Sequence, residues 1–259
     1  MIIQLLLNVH IPKMLMDRIL LILSSLLVFA SCAEQYNIAG NSNIACLDGR
    51  MLYLRVSSVD KAGGHRAVQQ TSLSVCLDSC KVVHGKFSFE GDVDSARMAM
   101  LYTGNQCVMP LVLENGNLSI QVDNAMQRVS GGPLNDKLYN FFKKRTRLDN
   151  ELWELQQSTI RMMREGQSPL EIQRKVGKKT RQLAKKTEDL ETKFVMDNYN
   201  NVLGPGFFRL LCSQYPSPIM TEQIERIVKS APSHFLNDPF VNAYVRQAQA
   251  RMAIQTVCP

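Results

Sequence analysis

The sequence has no Cys-x-x-Cys, and its four histidines, His10, His65, His84 and His234, are scattered without paired spacing. The first absence leaves no dithiol whose thiol is tuned for exchange at a helix N-terminus. The second leaves no ligand set of the zinc type. Tryptophan occurs once, as Trp153 in a helical stretch, so a sugar-binding platform on a sheet would need tyrosine or phenylalanine. No G-x-S-x-G serine is present. Val176-Gly177-Lys178-Lys179-Thr180 approaches a phosphate loop, but Ile172 stands where the first glycine belongs and no strand precedes it. The longest apolar run, Ile19–Ala30 (ILLILSSLLVFA), has 12 residues, against about 20 needed to cross a bilayer. These gaps lead us to expect no catalysis, no cofactor and no metal.

What is present is ordinary globular text: 259 residues, 45% hydrophobic and 20% charged, enough for one or two domains with a core of their own. The short apolar run follows Lys13 and Arg18 and precedes Phe29-Ala30-Ser31-Cys32. A charged start, a short apolar core and small residues before a cysteine read as a lipoprotein-type signal over residues 1–31. Translation from Met14 or Met16 gives a tidier version of it. In this reading the chain is cut before Cys32, whose thiol and new amine carry acyl chains. At ~0.8 kcal/mol per buried methylene, such chains hold a protein on a membrane without a spanning helix. The expected place is the cell envelope, where thiols can pair. That address argues against nucleic acid as partner of a chain with net charge +7.

Residues 33–131 read as a β-rich domain. Period-two alternation marks Met51–Val56, Lys86–Glu90, Ala96–Leu101 and Leu118–Val122, with turns at Asp48-Gly49, His84-Gly85 and Asn115-Gly116. Residues 132–259 read as helical. Pro133 opens a helix whose apolar seam runs through Leu134, Leu138, Phe141, Leu148, Leu152, Leu155 and Met162, interrupted by Arg145 and Thr159. Gly166 ends it, and Ser168-Pro169-Leu170-Glu171 caps a second helix carrying Ile172, Val176, Leu183, Leu190 and Phe194. The short link implies an antiparallel hairpin over 133–200. Shorter helices are expected at Phe207–Cys212, after a Gly204-Pro205-Gly206 turn, at Thr221–Lys229, and at about Pro239–Ile254. The expected fold is therefore α+β: an antiparallel β-sandwich-like domain, then a long helical hairpin and shorter helices.

An ordered series carries a resemblance: Asp78-Ser79-Cys80-Lys81-Val82, Gly85-Lys86-Phe87-Ser88-Phe89-Glu90-Gly91, Leu113-Glu114-Asn115-Gly116, and Ser130-Gly131-Gly132-Pro133-Leu134-Asn135-Asp136. It resembles a domain of unknown function found in Bacteroidetes envelope lipoproteins, N-terminal to thioredoxin domains of the AhpC/TSA or TlpA kind. The likeness runs from about Tyr36 to about Gln249. It implies an envelope lipoprotein and a thioredoxin-fold protein as a possible partner. No thioredoxin domain or Cys-x-x-Cys accompanies the series here, so oxidoreductase activity does not carry over. Exported surface lipoproteins of such bacteria tend to have acidic residues just after the lipidated cysteine. Ala33-Glu34-Gln35-Tyr36 has one acid, which favours the outer membrane facing the periplasm.

Two features remain open to chemistry. Cys76 and Cys80 are four apart, about 13 Å in an extended chain, whereas a disulfide needs α-carbons within about 7 Å. They could pair only if the chain folds back at Leu77–Ser79. Cys258 is a further candidate for an exposed thiol. The second feature is basic: 15 Lys/Arg and 10 Asp/Glu fall between Leu134 and Asn200. Lys143–Arg145, Arg174–Lys175, Lys178–Lys179, Arg181 and Lys185–Lys186 form a stripe that suits a solvated face or contact with an anionic surface. The sequence thus reads as a non-catalytic envelope lipoprotein, a binding or scaffold module. The alternatives are a redox accessory working with a thioredoxin-like partner through Cys76, Cys80 or Cys258, and a carbohydrate- or peptide-binding sandwich.

Overall fold

Alternation in the N-terminal text becomes two sheets with their apolar faces turned together. The computed structural model describes residues 34–57, 74–124 and 127–257, with side chains to 253; Cys32, the signal over 1–31 and Cys258 lie outside the described residues. Eight strands are seen among them: β1 (Gln35–Ser42), β2 (Met51–Ser57), β3 (Ser74–Lys81), β4 (Lys86–Asp92), β5 (Arg97–Thr103), β6 (Gln106–Leu113), β7 (Gly116–Val122) and β8 (Gln127–Ser130). One sheet has the order β4-β1-β7-β8 and the other β3-β2-β5-β6. Every strand pair is antiparallel except β1 with β7, which is parallel. Ile38, Leu54, Leu101, Leu111, Leu118 and Ile120, drawn from both sheets, are fully buried in one shared core. This is the sandwich arrangement, in which inward residues alternate with outward polar ones.

Two aromatic residues fix the β1–β4 pair. Phe87 lies opposite Gly40 and Tyr36 opposite Gly91. A β-carbon on Gly40 would overlap the Phe87 ring, and one on Gly91 would come within 2.7 Å of the Tyr36 hydroxyl. Each ring therefore lies flat over the glycine of its neighbour, one on each strand. At the β4 turn, His84 and Gly85 both take positive φ, 51° and 72°, as a tight two-residue turn requires.

The helical part begins three residues after β8 ends. It comprises α1 (Pro133–Arg164), α2 (Pro169–Asp197), α3 (Leu203–Cys212), α4 (Glu222–Ser230), α5 (Ser233–Leu236) and α6 (Pro239–Val257). Pro133 occupies the first turn of α1, and Gly166 stops the hairpin turn at φ 79°. Ser168 and Glu171 form a reciprocal capping box at α2. The expected Gly204-Pro205-Gly206 turn is instead the first turn of α3. Proline is harmless there because its missing N–H has no helical partner anyway. Gly204 is needed for a different reason: a β-carbon would run into the backbone of Asn198.

A second core forms around Phe141, Phe194 and Phe207, with Phe141 stacked on Phe194 at 4.2 Å between ring centroids. It continues through Phe208, Phe235, Phe240 and Tyr244. Val112 of β6 belongs to this helical core while its neighbours Leu111 and Leu113 belong to the sandwich core. The helices thus cover the outer face of the sandwich at β6. No member of either core comes from α1 beyond Phe142 or from α2 before Leu190. The distal hairpin stands clear of both cores, held by its own seam, in which Ile172 and Leu183 are buried, and by Arg145, which bonds Glu191 of α2 at 2.9 Å and also pairs with Asp149.

Candidate functional site

Cys76 and Cys80 both lie on β3, in one extended strand paired with β2. The chain does not fold back between them; it bulges at Leu77, where the register with β2 slips between Leu54 and Arg55. Cys76 is exposed and its Sγ donates to the Asp78 carbonyl at 3.3 Å. Cys80 is half-buried, and burial pushes its thiol above the ordinary value of 9.0. A raised thiol is less often the reactive thiolate. Cys46, Cys76, Cys80, Cys107 and Cys212 are all free thiols. Among the described residues no cluster of three or more Cys, His, Asp or Glu could hold a metal ion, and no helix is long and apolar enough to cross a membrane.

The motifs that are far apart in the sequence meet where β6 reaches α1. Asn135 is fully buried. Its Oδ1 accepts from the Val112 N–H at 2.8 Å, and its Nδ2 donates to the Val112 carbonyl at 2.7 Å and to Glu114 Oε1 at 2.8 Å. β6 is an edge strand, so the Asn135 amide stands where the next strand's peptide would. Glu114 turns its carboxylate on the start of α1, accepting from the Leu134 N–H at 3.0 Å and the Asn135 N–H at 2.8 Å. Gly132, the residue before the helix, has no side chain to cap it, and a β-carbon there would strike the Glu114 carboxylate. The arrangement joins sheet to helix: both carboxylate oxygens face N–H groups, which is a structural use of an acid at a helix N-terminus.

Beside this latch the sandwich opens between its edge strands β6 and β8, and α1 lies across the gap. A cleft of about 510 Å³ remains there. Its floor is Met109, Val129 and Leu138, all buried. Lys143 and Arg147 stand exposed on its α1 side. The sequence marks the apolar seam of α1 and, in Lys143–Arg145, part of a basic stripe, but not the face of α1 turned to the cleft. A second set of positions, Tyr139, Phe142, Lys143, Thr146, Arg147 and Asn150, was present at helical spacing and marks the face toward the cleft.

The basic stripe lies mostly on α2. From Ile172 to Thr187 there are seven Lys/Arg and no Asp or Glu. Arg174, Lys175, Lys178, Lys179, Arg181, Lys185 and Lys186 are all exposed. None has an ion-pair partner among the described residues, Lys175 bonding only the neutral Gln167 at 2.7 Å. The acids of the hairpin lie elsewhere along it, among them Glu151 and Glu154 on α1, Glu165 and Glu171 at the turn, and Glu188 and Asp189 towards the base, where they pair with Arg226 of α4.

Fold and site together define an α+β protein, a β-sandwich latched to a helical hairpin. Residues 36–138, from β1 through the first turns of α1, match the family model described as Domain of unknown function (DUF4369). The match encloses all four sequence blocks of the resemblance and both halves of the Glu114–Asn135 latch; it does not extend along the helices to Gln249. No curated protein and no solved structure matches the chain.

Proposed function

We propose that the chain is a non-catalytic, lipid-anchored module of the cell envelope whose helical hairpin docks on an anionic lipid surface. The observation that carries this reading is the run of seven exposed cations on α2, free of acid and of ion-pair partners. Like charges held together on a helix repel one another, and an anionic surface relieves that cost. Trp153, Met163 and Leu170 are exposed on the same distal hairpin, at 60%, 58% and 78%. They supply the apolar contacts that membrane interfaces favour.

Magnitudes divide the labour. Acyl chains on Cys32, at ~0.8 kcal/mol per methylene, outweigh about 1 kcal/mol for each cation near an anionic surface. The lipid anchors, and the hairpin sets how the module lies and on what. The match to a domain of unknown function assigns no activity of its own.

The test is lysine footprinting of the full, lipidated chain in vesicles. In vesicles containing phosphatidylglycerol, Lys175, Lys178, Lys179, Lys185 and Lys186 should resist acetylation relative to neutral phosphatidylcholine vesicles. High salt should remove that protection, because exposed charges are screened within about 10 Å at 0.1 M. Equal acetylation in both vesicle types would end this reading.

A further inference from the structure

The cleft beside the latch has the make-up of a ligand site distinct from the cationic face of α2. Its two walls are edge strands of different sheets, so neither β6 nor β8 continues to fill it. Its floor, Met109, Val129 and Leu138, is apolar and buried. Its volume of about 510 Å³ falls within the roughly 300–1,000 Å³ of ordinary small-molecule sites. Polarity is graded along α1. Leu138, Tyr139 and Phe142 come first, and Lys143, Thr146, Arg147 and Asn150 follow over the next two turns.

The charge at that polar end has one sign. Lys143 and Arg147 are one helical turn apart and exposed, and neither has an ion-pair partner among the described residues. Among the described residues no Asp or Glu lines the cleft. A third cation, Arg128 of β8, lies with its guanidinium 5.4 Å from the centre of the ring of Tyr139, which lines the cleft. An apolar trough that ends at two uncompensated cations complements a molecule with one apolar chain and one anionic end.

We propose that this cleft binds a fatty acid, with the acyl chain over Met109, Val129 and Leu138 and the carboxylate between Lys143 and Arg147. The carboxylate accepts from both side chains, and its negative charge offsets their repulsion. The acyl chain leaves water for an apolar floor, and the burial of its own surface is where the affinity resides. The head group selects the ligand. An alcohol of the same length keeps the apolar contacts and loses the ionic ones, for a loss of roughly tenfold, the worth of one charge-assisted hydrogen bond.

Photo-crosslinking tests this on the full chain in phosphatidylcholine vesicles, with a diazirine-bearing palmitic acid as probe and mass spectrometry of the digested protein. Adducts are expected to concentrate on the segments 108–110 and 138–150. Palmitate should compete roughly tenfold better than hexadecanol. The double variant K143Q/R147Q should lose most of the labelling, and so should Thr146→Trp, which fills the cleft and leaves both cations. All three positions are exposed, and unchanged circular dichroism will show that the variants fold. Adducts scattered along the chain, equal competition by the alcohol, or full labelling of either variant would overturn the proposal. Stronger competition by lysophosphatidylglycerol than by palmitate would overturn the fatty acid as occupant.

Discussion

At the scale of single residues, Asn135 holds more than its size suggests. One buried amide meets the N–H and carbonyl of Val112 and the carboxylate of Glu114. Truncation to alanine strands the Val112 N–H and carbonyl without water, while Glu114 keeps the backbone N–H groups of Leu134 and Asn135. An unpaired buried group costs about 1–3 kcal/mol, so Asn135→Ala should destabilise the protein by about 3 kcal/mol or more, measured by denaturant unfolding. Asn135→Asp, nearly the same shape, should rescue little, because a carboxylate cannot donate to the Val112 carbonyl and would face Glu114. Cysteines divide by burial. Cys212 lies in the helical core, where burial raises its thiol above 9.0, and the neighbouring Tyr244 hydroxyl is raised above 10.0, chiefly by burial. Both are neutral when protonated, so above pH about 9 the folded state holds more protons than the unfolded one and stability falls as pH rises. The unfolding midpoint should be flat near neutrality and decline in alkali, less steeply in Cys212→Ala. Differential alkylation should find Cys76 reactive in the native protein and Cys212 reactive only after unfolding.

At the scale of elements, what was legible was local. Ser168, Pro169 and Glu171 define a cap within four residues, and Gly166 a stop, so the hairpin turn could be read directly. Because the distal hairpin has only its own seam and caps to hold it, loss of a cap should show locally. Ser168→Ala should cost about 1 kcal/mol, seen as faster amide hydrogen exchange in 169–181 with the exchange of α3 unchanged. Strands with one wet face, such as β2 and β7, announced themselves by alternation. β6 did not, since Leu111, Val112 and Leu113 are all buried and helices cover the face that would otherwise be polar. The start of α3 was misplaced because Gly204-Pro205-Gly206 reads as a breaker unless the backbone of Asn198 is known to crowd Gly204.

At the scale of the whole molecule, pattern alone could deliver an α+β sandwich followed by helices but not how the two are joined. The latch links Glu114 to Asn135 across 21 positions; both fall in the blocks that carry the resemblance, but nothing in those blocks shows that the two side chains meet. The candidate cleft was hidden for the same reason: its walls come from β6, β8 and α1, and only the sheet orders bring them together. The cationic run on α2 was visible from composition, being contiguous in the chain. The exposed thiols were visible as residues, but whether Cys76 and Cys80 met depended on the strand between them staying extended.

The parallel pairing of β1 with β7 has a mechanical consequence. Their register runs from Tyr36 opposite Gly116 to Ser42 opposite Val122. A tug arriving through the residues before Gln35 enters β1 at one end of this pair, while the chain leaves β7 at the other end, into the antiparallel β8. Traction between the two ends loads the interstrand bonds in shear, sharing the force among them instead of peeling them one by one. With β4 bonded along the opposite flank of β1, the strand nearest the start of the described chain is built to withstand pulling.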